Sequence, residues 1–188
     1  MAEARLVQTE NGRLPEGDGW FVLNAREAPW VHSDRLGSAG FWEGAFRWPE
    51  VGVTLGVLQP GQSGGLYHAE KNQEGFLVLA GEGLAVVEGR ERPLRQWDYF
   101  HSPAGRPHVL VGMGSAPFVY FAVGARHEGA SIVYPVDETA LRHGAGVEQE
   151  ATSGKEAYAG GGWQPGPFRE GGLPDFDDRA APERDLAR

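Results

Sequence analysis

Cysteine is absent from the 188-residue sequence. That excludes a disulfide framework and thiolate chemistry, so any metal ion must be gripped by imidazole and carboxylate. Long apolar runs are also missing, and no stretch approaches the roughly 20 residues of a membrane span. The first residues, Met1 to Gln8, have neither the basic start nor the apolar core of a secretory signal, so the expectation is a cytoplasmic protein with no membrane partner. Positive charge is scarce: 17 Lys and Arg face 26 Asp and Glu, for a net charge of -9. A chain this acidic is a poor phosphate-backbone binder, and no nucleic acid is expected. Helical periodicity is nearly lacking as well.

What is present is a moderate apolar fraction, 40% with 11% aromatic, enough for one core and no evident second. Short apolar runs alternate with Gly and Pro. Strands are predicted at 20–24, 40–48, 53–58, 65–70, 74–79, 84–88, 97–101, 108–113, 117–123 and 131–135, with a loop through Pro29 to His32. Gly81-Glu82-Gly83 reads as a tight hairpin. Many short strands with Gly-rich turns mean an all-β sandwich or barrel. Residues 1–18 are expected to form an arm, 19–136 the barrel, and 137–188 a short helix capped by Asp137 followed by an irregular Gly/Pro-rich tail. Tyr158, Trp163, Phe168 and Phe176 are spaced along that tail, which is expected to drape over the barrel or a partner subunit.

The chemistry is concentrated in one stretch. His68 and Glu70 are two apart and share a strand face, and Glu74 returns to that face after Lys71-Asn72-Gln73. His108 opens another apolar run directly after Pro103-Ala104-Gly105-Arg106-Pro107, so a neighbouring strand can bring a fourth donor to the same place. Two carboxylates as close as Glu70 and Glu74 repel unless a proton or a cation lies between them, and a cation explains the histidines as well. The competing reading is a set of ordinary polar residues at a barrel mouth. Phe76 and Val78 share the face of Glu74, and Leu110 that of His108, which makes the surroundings apolar.

These segments, HxE(x)3E(x)6G from His68 to Gly81 and PxGxxH from Pro103 to His108, resemble the two motifs of the cupin superfamily. The resemblance implies a double-stranded β-helix, a jelly-roll-like barrel, with a mononuclear centre at its heart. It places His68, Glu74 and His108 at matched metal positions, while Glu70 stands where the pattern has a second histidine. Trp97 occupies the position of the glycine that opens the second motif, and Gly112 that of its terminal asparagine.

Imidazole and carboxylate donors suit a divalent metal ion, Fe, Mn, Ni or Zn. The metal set is therefore expected to be His68, Glu70, Glu74 and His108. Within the resemblance the expected activity is that of a small-molecule dioxygenase or related oxidoreductase; the alternative is a cupin that binds a sugar or regulatory ligand without turnover. An epimerase or isomerase would need a basic lining, of which the sequence shows little. With two glutamates the centre is electrically neutral, which favours a neutral or chelating ligand, phenolic or diketone-like, over oxalate. The partner is a small-molecule ligand or substrate, and a homodimer is expected because family members pair through their sheets. His101 and Tyr99 are read as a surface histidine and a core tyrosine, Arg106 as a solvated turn residue; His32, His127 and His143 receive no role.

Overall fold

The computed structural model describes residues 2–127, 129 and 131–174. Strands dominate it and almost all pairing is antiparallel, as the all-β reading requires. An N-terminal hairpin, β1 Arg5–Thr9 and β2 Gly12–Glu16, gives the expected arm a regular structure of its own. The remaining strands are β3 Trp30–Ser33, β4 Gly37–Gly40, β5 Val51–Leu58, β6 Ala69–Glu70, β7 Glu74–Ala80, β8 Glu82–Val87, β9 Arg90–Arg95, β10 Tyr99–Ser102, β11 His108–Met113, β12 Phe118–Ala125, β13 Ile132–Val133 and β14 Gln164–Gly166. Among the described residues, no helix is long and apolar enough to cross a membrane.

Two sheets face one another. One has seven strands in the order β10-β7-β12-β5-β4-β3-β14, the other three in the order β11-β8-β9. Leu58, Phe76, Val78, Phe118 and Tyr120 from the larger sheet meet Ala85 and Leu110 from the smaller in a shared interior. The outer faces are covered too. Ala140, in helix α1 (Glu138–Arg142), and Ala145 pack with Leu84, Val86, Val109 and Val111 of the small sheet. Phe168 and Leu173 cover Trp30, Leu55, Val57 and Val119 of the large one. Burial on both faces explains why β11 and residues 55–58 of β5 read as continuous apolar runs instead of alternating ones.

Several strand expectations need correction. Residues 21–24 and 41–48 are not strands; Trp42 packs on the barrel against Phe121, and Phe21 and Trp48 pack on each other. The presumed loop at Pro29 to His32 instead enters β3. Gly81 does not turn a hairpin, because β7 pairs with β10 and β12 while β8 pairs with β9 and β11. The chain crosses there between sheets, with Gly81 at φ 74° and so close to the Pro117 carbonyl that a Cβ would lie 2.2 Å from its oxygen. The true hairpin is at Glu88-Gly89, where Val87 pairs with Arg90 and both loop residues have positive φ, 48° and 72°. That is the signature of a two-residue type I′ loop.

Asp137 caps α1 as expected, its carboxylate accepting the Ala140 amide at 2.8 Å. The tail contains a second short helix, α2 (Gly154–Ala157), and Tyr158, Trp163 and Phe168 all pack onto the barrel. Phe176 lies outside the described residues.

Candidate metal centre

Backbone pairing sets the two histidines side by side. The His68 amide donates to the His108 carbonyl at 3.2 Å and the His108 amide to the His68 carbonyl at 2.9 Å. In an antiparallel ladder that reciprocal exchange places both side chains on one face, and here the ring centroids are 5.3 Å apart. Glu74, at the start of β7, reaches them from the large sheet. Its Oε2 lies 3.2 Å from His108 Nε2 and 4.0 Å from His68 Nε2.

Each imidazole is held from behind. His68 Nδ1 is 2.7 Å from the Leu66 carbonyl and His108 Nδ1 is 2.9 Å from the Arg106 carbonyl, with Ser102 Oγ at 3.1 Å. A carbonyl only accepts, so Nδ1 carries the proton in each ring. Both rings therefore turn Nε2 toward Glu74, and in its neutral form each offers a lone pair there. Anchoring the remote nitrogen in this way is how proteins orient metal-binding histidines.

The donor atoms of His68, Glu74 and His108 all lie within 4.8 Å of one another. Ligands about 2.0–2.2 Å from one ion are separated by roughly 3–4 Å, a range that the 3.2 and 4.0 Å distances from Glu74 to the two histidines meet. His108 Nε2 and Glu74 Oε2 are buried and, despite their proximity, lack the alignment of a hydrogen bond. Buried polar atoms without partners are costly, and a divalent ion would satisfy both together with His68.

The electrostatics follow from this crowding. Burial pushes the His68 pKa down and the like charge of a protonated His108 adds to it. Burial also pushes His108 down, but Glu74 and the Arg106 carbonyl outweigh it and leave His108 above the ordinary imidazole value. For Glu74 burial acts upward, and His108 and His68 outweigh it, holding the carboxyl below the usual range. Glu70 is raised by burial first and by Glu74 second. Its carboxylate stands 3.8 Å from His68 Nε2 at the edge of the cluster, outside the mutually close set of three.

A small inner chamber of about 140 Å³ surrounds the three donors, lined by Thr54, Phe76, Leu110 and Tyr120, the apolar setting expected from strand parity. Glu70 and Glu74 also line an outer cavity of about 720 Å³ that opens beside it, together with Arg47, Arg126 and His127. Other named residues lie elsewhere. His101 is exposed, and Tyr99 is 66% exposed instead of in the core. Arg106 pairs with Glu88 in a solvated turn. His32 is buried, bonded to Ser38 and the Pro167 carbonyl, and His143 pairs with Glu91.

Sequence reasoning missed Tyr120 and Arg126, and read Tyr158 only as a tail aromatic draped over the barrel. Tyr120 was legible in principle, being on the parity of Phe118 and Ala122, whereas Arg126 and Tyr158 join the site only through tertiary folding.

Residues 54–124 match the sequence profile of the cupin domain. No curated protein matches the chain by sequence. Among solved structures it is similar to a sugar phosphate isomerase of the cupin superfamily from Silicibacter pomeroyi, with 21% identity over 79% of this chain and 97% of that one and a TM-score of 0.54. It is also similar to a predicted oxalate decarboxylase from Thermotoga maritima, with 23% identity over 56% and 99% of the two chains and a TM-score of 0.50. A polyketide cyclase from Streptomyces resistomycificus shows 15% identity over 56% and 79%, with a TM-score of 0.49.

Proposed function

The chain is a cupin-domain protein, and from that premise we propose that it holds one divalent metal ion through His68, Glu74 and His108 and acts on a small organic molecule, as a dioxygenase or related oxidoreductase. The observation that carries this reading is the pair of imidazoles locked by the Leu66 and Arg106 carbonyls with both Nε2 atoms aimed at one buried carboxylate. Two histidines and one carboxylate form the donor set of non-heme iron oxygenases. A bound ion would supply Lewis acidity and, for iron, redox chemistry with O2.

The chain's own residues do the rest. Phe76, Leu110 and Tyr120 wall the inner chamber and keep water from the reacting end of a ligand. The outer cavity holds the body of the ligand, and Glu70 at the boundary between the two is placed to accept or return a proton. Its raised pKa suits that task.

Glu70 also favours a second reading, binding without turnover. Two carboxylates beside a divalent ion cancel its charge and weaken it as a Lewis acid. One experiment separates the two. Protein reconstituted anaerobically with Fe(II) is supplied with O2 and a panel of phenolic, diketone and sugar compounds, while O2 consumption and metal content are recorded. Compound-dependent O2 uptake supports the enzyme. Ligand binding without O2 uptake, with or without stoichiometric metal, supports the binder, and a protein that takes up neither metal nor any of the compounds overturns both.

A further inference from the structure

The outer cavity contains an arginine built to receive an anion. Arg126 follows β12 directly, and its Nη1 donates to Glu43 Oε1 at 2.6 Å and to the Trp48 carbonyl at 2.7 Å. One terminal nitrogen thus fixes the guanidinium against the 41–50 segment. Nε and Nη2 have no partner among the described residues. They lie over Gly52 on the cavity floor, where a Cβ would come within 2.8 Å of Nη2 and 3.1 Å of Nε. Glycine at position 52 is therefore what leaves room for this edge of the fork. Nε and Nη2 together match two oxygens of a carboxylate or phosphate, and a fork already held from behind loses little freedom on binding.

Strand register gives the distance to the metal centre. Glu74 pairs with Gly124, and Gly124 pairs with Gly52, so the three form a row across β7, β12 and β5. Neighbouring strands are about 4.8 Å apart, which puts Arg126 roughly 10 Å from Glu74. Arg47 and His127 line the same cavity. This basic end is set in a chain whose net charge is -9.

We infer that the ligand is bifunctional: an oxygen-donor end reaches His68, Glu74 and His108, and an anionic end, carboxylate or phosphate, is seated on Arg126. This rests on the metal-centre reading above and adds the class of ligand. It also reconciles the charges, because the anion sits away from a centre that two glutamates neutralise.

The test is calorimetry on Mn(II)-loaded full-length protein with two matched pairs of probes: dihydroxyacetone phosphate against dihydroxyacetone, and 2-oxoglutarate against pyruvate. A charge-assisted bidentate contact is expected to favour the member with the additional distal anionic group in at least one pair by about tenfold or more, and the pair that shows it tells phosphate from carboxylate. Arg126→Gln should reduce the preference to less than about threefold, and Arg126→Lys should restore it only in part because the fork is lost. Neither should alter Mn(II) affinity, since Arg126 is not a ligand. Gly52→Ala keeps the charge but displaces the fork, and should abolish the preference as well. A preference that survives both Arg126→Gln and Gly52→Ala, or none in the unmodified protein, overturns the inference while Mn(II) binding stands. Failure of Mn(II) to bind the unmodified protein overturns the metal-centre reading instead.

Discussion

The Tyr158 hydroxyl accepts a hydrogen bond from the Leu66 amide at 3.0 Å, and the carbonyl of that same Leu66 accepts from His68 Nδ1. A residue of the C-terminal segment, outside the matched domain at 54–124, is thereby two hydrogen bonds from a candidate metal ligand. Tyr134 reinforces the link, its ring 5.8 Å from both His68 and Tyr158. Tyr158→Phe is expected to weaken Mn(II) binding by about 3- to 10-fold, less than the loss of a direct outer partner, with a stability cost of about 1–2 kcal/mol. Titration calorimetry and urea unfolding measure the two separately. Unchanged metal affinity would make Tyr158 a packing residue alone.

Truncation after Gly144 should be more severe. It uncovers Trp30, Leu66 and Val57, all buried, and each large apolar side chain returned to water costs about 1.5–3 kcal/mol. A clear drop in melting temperature is expected, and an unchanged one would mean the tail is merely attached.

Ligand substitutions should rank in a definite order. His68→Ala, Glu74→Ala and His108→Ala should each cost more than the roughly 10- to 100-fold typical of outer partners, and Glu70→Ala less than any of them. Glu70→His, which exchanges a hard oxygen for a softer nitrogen, should move selectivity toward Ni(II) relative to Mn(II). Competition calorimetry reads the ratio; if Glu70→His leaves it where it was, Glu70 is no ligand and its role is proton transfer.

The pH dependence follows from the unequal histidines. Glu74 outweighs burial at His108 and holds its proton to a higher pH than an ordinary imidazole, while burial leaves His68 neutral there. A cation must displace the His108 proton and almost none from His68. Metal affinity should therefore rise with pH through and above the ordinary imidazole value of about 6.5, with a slope near one proton. It should be lost as pH falls. Dissociation constants measured across that range give the slope, and a flat profile above about pH 6.5 would remove His108 from the set.

Trp97 offers a test of the fold. Its φ is 73°, and the Asp98 amide donates to the Arg95 carbonyl at 3.0 Å, closing a tight turn in which Trp97 is the third residue. Glycine is favoured there, as the second motif's opening position suggests. The side chain is 68% exposed and buries little. Relief of about 1–2 kcal/mol of left-handed strain should exceed the roughly 0.5–1 kcal/mol entropic cost of glycine. Trp97→Gly is expected to raise the urea midpoint modestly.

The site was legible where local rules reach it. Motif spacing and strand parity brought His68, Glu74 and His108 together, because a one-residue slip would have turned any of them away. What escaped depended on partners distant in the chain. Arg90 to Arg95 carries mostly charged, exposed side chains and gives no apolar signal, yet pairs fully with β8. A glycine-rich triplet between apolar runs looks the same whether the chain turns back or crosses to another sheet, hence the misreading at Gly81. Phe21, Trp42 and Trp48 imitate strands because packing on a barrel or on one another takes the same aromatic residues as building one. Arg126 lacked any sequence cue, since its meaning comes from Glu43 and Gly52, each more than 70 positions away.

Strand β14 closes the edge of the large sheet, with Gln164 to Gly166 paired to Trp30–His32. During synthesis at about 5–20 residues per second, residue 166 emerges roughly 7–27 s after residue 33. Throughout that interval β3 lacks its outer neighbour, with unpaired amides available to any other nascent chain. Pro165 sits in the strand that finally caps it and offers no amide of its own at that position. Newly made chains should thus be most prone to cross-association in the seconds before the tail arrives, and slowing translation after codon 40 should aggravate it.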